Sequence, residues 1–164
     1  IISDVAVIPL PDFKQKMVQI GYLARTANLL GIATPKIACI APSEQLLPNV
    51  ISSTEGALLA KMADRGQLGN VVVDGPLSLD VALYKEVAEH KKVKGSSVAG
   101  DPDCLLFPNL ESANVFFKSV THLCGGELAA MVMGTKVPCV LTSRGDTSKT
   151  KLYSIALACL AVQK

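Results

Sequence analysis

Short, wholly apolar runs alternate along the chain with longer segments of helical period, and this alternation constrains the fold more than any other feature. Residues 5–8, 36–41, 71–73, 104–107, 128–133 and 139–141 have strand length and little polar character. Between them, residues 12–30, 54–65, 78–90, 110–123 and 147–162 repeat apolar residues every three or four positions, as a helix with one buried face does. In 12–30 the stripe is Phe13, Met17, Ile20, Ala24 and Ala27. Pro11 and Asp12 suit the start of that helix and Gly31 its end. Thr54 and Gly66 are read as cap and stop of the next helix, Leu79, Leu83 and Val87 as the stripe of the third. Leu152, Ile155, Ala156, Cys159 and Leu160 give the last helix an apolar face. Strands that are apolar throughout must be covered on both sides, which predicts an α/β fold: a mostly parallel sheet flanked by helices. Ligands in such folds bind beyond the carboxyl ends of the strands. Attention therefore falls on the loops Asp74-Gly75-Pro76, Pro108-Asn109 and Thr142-Ser143-Arg144-Gly145-Asp146.

Composition narrows the function classes. The hydrophobic share is 49% but the aromatic share only 4%, with no Trp, so the core is aliphatic. The formal net charge is +2 with acids and bases interspersed, unlike the clustered basic face of a nucleic-acid binder. Lys91, Lys92 and Lys94 form the one dense basic run, read as a solvated turn or a minor contact for an anionic ligand. The five cysteines are odd in number and form no Cys-x-x-Cys pair, which points to free thiols in a reducing compartment, the cytoplasm, and away from disulfides or a metal site. No apolar stretch reaches the roughly 18 residues of a membrane span, and the opening has no signal-peptide pattern. The first residue is Ile1 rather than Met, as in a chain missing its start.

Three segments can carry chemistry. In 141–151, hydroxyls, Arg144 and Gly145 precede a helix N-terminus, where free N–H groups and the helix dipole favour an anion. Arg144 can grip phosphate or carboxylate with two parallel hydrogen bonds, and Thr142 and Ser143 add hydroxyls. The plainer reading is that Asp146, Thr147 and Ser148 cap the last helix. In 105–118, Asn114 and Lys118 share a helix face behind Asn109; this is either the wall of a cleft or a solvated face with Asn109 as cap. Asp74-Gly75-Pro76 is read as a turn that lets backbone approach a ligand, or as an ordinary tight turn. His90 and His122 have no spacing partner and are read as structural or exposed.

Taken in order, Ala60-Lys61-Met62-Ala63-Asp64-Arg65-Gly66-Gln67, Val73-Asp74-Gly75-Pro76-Leu77-Ser78-Leu79-Asp80, Val98-Ala99-Gly100-Asp101-Pro102-Asp103, Leu106-Phe107-Pro108-Asn109-Leu110-Glu111-Ser112-Ala113-Asn114 and Lys136-Val137-Pro138-Cys139-Val140-Leu141-Thr142-Ser143-Arg144 resemble the phosphate acetyl/butyryltransferase family, more nearly its butyryltransferase branch. The resemblance covers nearly the whole chain. It implies a two-domain enzyme folded like isocitrate and isopropylmalate dehydrogenases, of which this chain is the C-terminal half. Residues 1–133 would form the second domain, and 134–164 would return to the first. It implies transfer of a short acyl group between phosphate and coenzyme A, with coenzyme A as substrate and no cofactor or metal. It also implies a homodimer or larger homo-oligomer.

In family terms Ser143 hydrogen-bonds the reacting carbonyl or thiol and Arg144 binds phosphate. Asp74, Gly75, Pro76, Asn109, Asn114, Lys118 and Thr142 are the expected substrate-binding residues. Three positions depart from the pattern. Thr150 stands where the family's proposed catalytic aspartate lies, seven residues after the serine, leaving Asp146 as the candidate base. Ser112-Ala113 replaces a frequent Ala-Gly, and Thr121-His122 falls where some acetyltransferases carry an arginine. A non-catalytic coenzyme A-binding or interaction module on the same fold is the alternative. A dehydrogenase is disfavoured because no dinucleotide glycine fingerprint follows the first strand.

Overall fold

A computed structural model of the chain describes residues 1–162. Two compact units make it up, Ile1–Asn114 and Val115–Lys164.

The first unit holds four parallel strands: β1 (Ile2–Ser3), β2 (Lys36–Ile40), β3 (Val72–Leu77) and β4 (Cys104–Leu106), in the order β1-β4-β2-β3. Helix α1 (Phe13–Leu29) links β1 to β2, and α2 (Ile51–Asp64) links β2 to β3. Both connections step the same way across the sheet, so right-handed crossovers place both helices on one face. The path from β3 to β4 steps back through α3 (Leu79–Leu83) and α4 (Lys85–His90), on the other face. Helix α5 (Leu110–His122) follows β4. The core is aliphatic, as the composition requires: Ile20, Leu23 and Ala27 of α1 meet Ile37 and Cys39 of β2, Val73 of β3, Cys104 and Leu106 of β4 and Leu59 of α2. Alternate residues Ile37 and Cys39 share the helix-covered face, while Ala38 and Leu105 are buried too. The expected two-sided burial is therefore present.

Helix α1 begins where its sequence signals. The Asp12 carboxylate accepts the Gln15 N–H at 2.8 Å, and the Gln15 side chain accepts the Asp12 N–H at 2.8 Å, a reciprocal capping box. Gly31, at φ +92°, lies just past its end.

Several expectations fail for local reasons. Residues 5–8 are not a strand. The Asp4 carboxylate accepts the N–H groups of Ala6, Val7 and Ile8 at 2.9, 3.0 and 2.7 Å, which takes the donors a strand would need. Pairing with β4 falls earlier, at Ile2 and Ser3. Thr54 does not cap α2, which starts at Ile51; its hydroxyl bonds back to the Ile51 carbonyl at 3.1 Å from inside the helix. Residues 78–90 are two helices, because Tyr84 is extended (φ −123°, ψ 116°) and resets the helical phase. Val81, Ala82 and Ala88 are then the buried residues, and Leu83 is exposed.

In the second unit, 128–133 and 139–141 do not form strands. One antiparallel bridge joins Val132 to Cys139, the Val132 N–H donating to the Cys139 carbonyl at 2.8 Å. Gly134 (φ +90°) and the Thr135 hydroxyl, which donates to the Val137 carbonyl at 2.6 Å, close the turn between them. A lone two-strand pairing lacks the neighbours that stabilise a sheet. Helix α6 (Ser148–Val162) closes the described chain. Its expected buried apolar face is open: Leu152, Ile155, Cys159 and Leu160 are exposed, and Thr150 and Ser154 are buried instead. Ser154 Oγ donates to the Thr150 carbonyl at 2.8 Å and accepts the Ala130 N–H at 3.0 Å, which anchors α6 within its unit.

Candidate functional site

The carboxyl ends of β2, β3 and β4 lie together in the first unit by the parallel register of these strands. Asp74-Gly75-Pro76 is not a turn beyond β3 but part of it, since the strand runs on to Leu77. The Gly75–Pro76 peptide is cis. Gly75 is required for close approach, though to protein rather than to a ligand: a Cβ there would stand 2.6 Å from Cys39 Cβ and 3.1 Å from the Cys39 carbonyl. Across α2, a Cβ on Gly56 would stand 3.3 Å from both Cys39 Cβ and Pro76 Cα. Asp74 turns its carboxylate onto the Gly75 N–H at 2.8 Å.

Asn109 takes the capping role. Its side-chain oxygen accepts the Ser112 N–H at 2.9 Å, satisfying a free donor at the start of α5. Asn114 donates its amide to the Val5 carbonyl at 2.8 Å, tying α5 to the segment after β1. Ala113 is fully buried, so its methyl is a packing contact.

A gap with room for about one water lies at the same end of the sheet. Lys16 and Glu55 pair across it at 2.5 Å, between α1 and α2. Cys39, Ile40, Gly56, Leu106, Phe107 and Pro108 are among the residues lining it. No sequence signal singles out Lys16 or Glu55, because each sits in a helix among ordinary surface charges. Burial pushes the Cys39 thiol up to about 12; the nearby Asp74 charge adds to this and Lys16 opposes it. Burial likewise lifts Cys104 to about 11. Both thiols are therefore expected to stay unmodified by a maleimide at neutral pH in the folded protein and to label on unfolding, as read by mass spectrometry of digested peptides. Rapid labelling of either under native conditions would mean that β2 or β4 is not held in the core.

Beyond β3, Lys91 is not simply a solvated charge. Its ammonium lies 3.0 Å from Asp80 and 3.6 Å from Glu44, and it donates to the Ser78 hydroxyl at 3.3 Å. The Ser78 hydroxyl and Lys91 hold the Asp80 carboxyl down at about 2.

In the second unit, residues 143–146 form a tight turn. The Asp146 N–H donates to the Ser143 carbonyl at 3.1 Å, and the Asp146 carboxylate accepts the Ser143 N–H at 2.7 Å. Both ends of the turn are locked by one residue, and Arg144 and Gly145 form its exposed tip. Arg144 has no hydrogen-bond or ion-pair partner among the described residues. Thr147 caps α6, its hydroxyl accepting the Thr150 N–H at 3.1 Å. Thr150 is buried and its hydroxyl meets that of Thr147 at 3.2 Å. Thr142 and Ser143 are half-buried. Lys118 stands 4.7 Å from the ring of its neighbour Phe117. Among the described residues no helix is long and apolar enough to cross a membrane.

The first unit is thus an α/β unit with its loops at the carboxyl ends of parallel strands, and the second carries an exposed arginine in a turn before a helix. Residues 1–159 match the family described as phosphate acetyl/butaryl transferase, and the chain belongs to that family. It is 43% identical over 159 residues to the phosphate butyryltransferase of Clostridium acetobutylicum, covering 97% of this chain and 52% of that protein. It is 41% identical over 158 residues to the phosphate acetyltransferase of Thermotoga maritima, covering 96% and 53%. Among solved structures it resembles a branched-chain phosphotransacylase from Enterococcus faecalis, with a TM-score of 0.89 at 31% identity over 98% of this chain and 57% of that one. The chain thus spans about half the length of the curated relatives it matches.

Proposed function

We propose that the protein moves a short-chain acyl group between phosphate and coenzyme A, and that this chain supplies the C-terminal part of the site. Family membership supports the reaction class. The observation that carries the residue assignment is the 143–146 turn, an exposed guanidinium on a backbone locked at both ends just before a helix N-terminus. In the direction of thioester synthesis, the thiol of coenzyme A gives its proton to a base and the thiolate attacks the acyl phosphate carbonyl. A C–S bond forms, the C–O bond to phosphorus breaks, and phosphate leaves. Arg144 holds the phosphate oxygens, the Ser143 hydroxyl donates to the oxygen of the reacting carbonyl, and Asp146 is the base. One oxygen of Asp146 is engaged by the Ser143 N–H, which fixes the carboxylate and leaves its other oxygen for the proton. Asp74, Gly75, Pro76, Asn109 and Asn114 of the first unit, and Lys118 and Thr142 of the second, are the substrate-binding residues we assign.

Residues 1–133 are assigned to one domain. Residues 134–164 are assigned to a segment that packs on a further domain, for which the open apolar side of α6 is suited. The buried free thiols suit a reducing cytoplasm, and a homo-oligomer is the assembly we assign. The alternative, binding of coenzyme A without turnover, draws on Thr150, whose hydroxyl supplies no carboxylate and is used in the α6 cap. Thioester formation from butyryl phosphate and coenzyme A by the natural gene product decides between them. Turnover establishes the acyltransferase reading. Coenzyme A binding with no turnover across short-chain acyl phosphates leaves the binding module.

A further inference from the structure

The connection from β2 to α2 is long for its kind. Residues 41–50 fill it, where such connections commonly have roughly two to six residues. It leaves the carboxyl end of β2, the edge at which parallel α/β folds bind ligands. Its two halves are fastened differently. The half next to α2 is anchored by the fully buried Ser53, whose hydroxyl accepts the Leu47 N–H at 2.8 Å and donates to the Gln45 carbonyl at 3.0 Å. The half next to β2 runs beside the end of β3. The Ala41 N–H donates to the Leu77 carbonyl at 2.9 Å, and Glu44 then reaches Ser78. Between Ala41 and Gln45, the polar contacts that tie the loop to its surroundings among the described residues are those of Glu44.

The joint at Glu44 can part without stranding a donor. The Ser78 hydroxyl carries one hydrogen, given to Glu44 at 3.2 Å, and the Asp80 carboxylate is a second acceptor for it. Lys91 is shared too, but unequally. Its ammonium is 3.0 Å from Asp80 and 3.6 Å from Glu44, the second beyond hydrogen-bond distance. Ser78, Asp80 and Lys91 all belong to the stretch of α3 and α4, so their mutual contacts persist when the loop moves away. The charged groups are all partly exposed, which leaves their attraction open to screening by salt. We propose that Glu44 is a reversible latch. Residues 42–44 move between a state closed on Ser78 and Lys91 and an open state in which Asp80 takes both donors, so that ionic strength sets how freely the loop moves at the carboxyl edge of the sheet. The device is independent of which ligand binds at that edge.

The test is NMR on the natural gene product, reading order parameters and relaxation dispersion at the amides of Ser43, Glu44 and Gln45, with Leu47 as the anchored control. Going from about 0.01 M to about 1 M NaCl shortens the screening length from about 30 Å to about 3 Å, and should raise the open population of the wild type about fivefold. Glu44→Gln should show that open population already at low salt and lose the response to salt. Asp80→Asn removes the competing carboxylate and should shift the loop the other way, towards the closed state. A merely structural network would loosen with either variant. Glu44→Ala gives the same readout should Glu44→Gln fail to fold. Loosening in Asp80→Asn, a loop unchanged by Glu44→Gln, or a salt response that survives in Glu44→Gln overturns the inference. So does Leu47 loosening in step with Glu44, which would mean that the whole connection melts rather than unlatches.

Discussion

Arg144→Ala is expected to lower kcat/KM for acyl transfer by roughly ten- to more than a hundredfold, the rate equivalent of losing about 1.5–3 kcal/mol of charge-assisted hydrogen bonding. The expectation comes from where the side chain sits. Its turn is closed by two hydrogen bonds that use the backbone of Ser143 and the carboxylate and N–H of Asp146, not the guanidinium. Arg144 is exposed and makes no described contact whose loss would loosen the unit. Tm should therefore move little, since exposed substitutions away from caps and networks change stability by about 0.5 kcal/mol or less. Arg144→Lys should fall between wild type and alanine, because it keeps the charge but not the planar two-pronged contact. Steady-state kinetics beside thermal melts separate the cases. A variant that melts much earlier yet keeps full activity per folded molecule would make Arg144 a structural residue.

The same turn gives Asp146 a structural duty beside its proposed one. The sequence reads Asp146 as a helix cap or as a base; Thr147 takes the cap, and the Asp146 carboxylate holds the Ser143 N–H instead. Losing it should cost order as well as chemistry, so Asp146→Asn is a less clean probe than Arg144→Ala.

How far the sequence can be read depends on the range of the forces involved. Helix α1 is legible because its signals are local: Asp12 and Gln15 cap each other three residues apart, and Gly31 lies just past the last turn. The parallel sheet is legible because Ile37, Cys39, Val73 and Cys104 are apolar without alternation with polar neighbours, which only two-sided burial explains. The run 5–8 misleads because its strand propensity is outweighed by one carboxylate, Asp4, and nothing in an apolar tetrapeptide reveals what its preceding side chain will bond. The break at Tyr84 misleads because the apolar spacing continues through it while the backbone does not. Ser143, Arg144 and Asp146 can be picked out together because they are close in sequence. Lys16 and Glu55 cannot, since 39 residues separate them and only the packing of α1 on α2 makes them a pair.

Gly100→Ala is expected to destabilise the protein by about 2–5 kcal/mol, adding a left-handed backbone cost of roughly 1–2 kcal/mol to an overpacking cost of roughly 1–3 kcal/mol. Gly100 has φ +81°, and a Cβ there would stand 2.5 Å from Lys85 Cα and 2.8 Å from Lys85 N. Those are backbone atoms at the start of α4 and cannot swing aside as a side-chain tip would. Nor can the glycine retreat. Its N–H donates to the Ala82 carbonyl at 2.9 Å, and just beyond it the Asp101 carboxylate pairs with Lys36 Nζ at 2.6 Å and Asp103 accepts the Lys36 N–H at 2.8 Å. The segment is thus fixed on both sides, between the helices on one face of the sheet and the start of β2. Gly69 supplies the control. It has nearly the same dihedral, φ +83°, but a Cβ there would meet no heavy atom within 4 Å, so Gly69→Ala should cost only the backbone part, about 1–2 kcal/mol. With roughly 2–4 °C of Tm per kcal/mol for a chain of this size, thermal melts should show Gly100→Ala falling well below Gly69→Ala. Equal shifts for the two would mean that α4 does not pack against Gly100 as described.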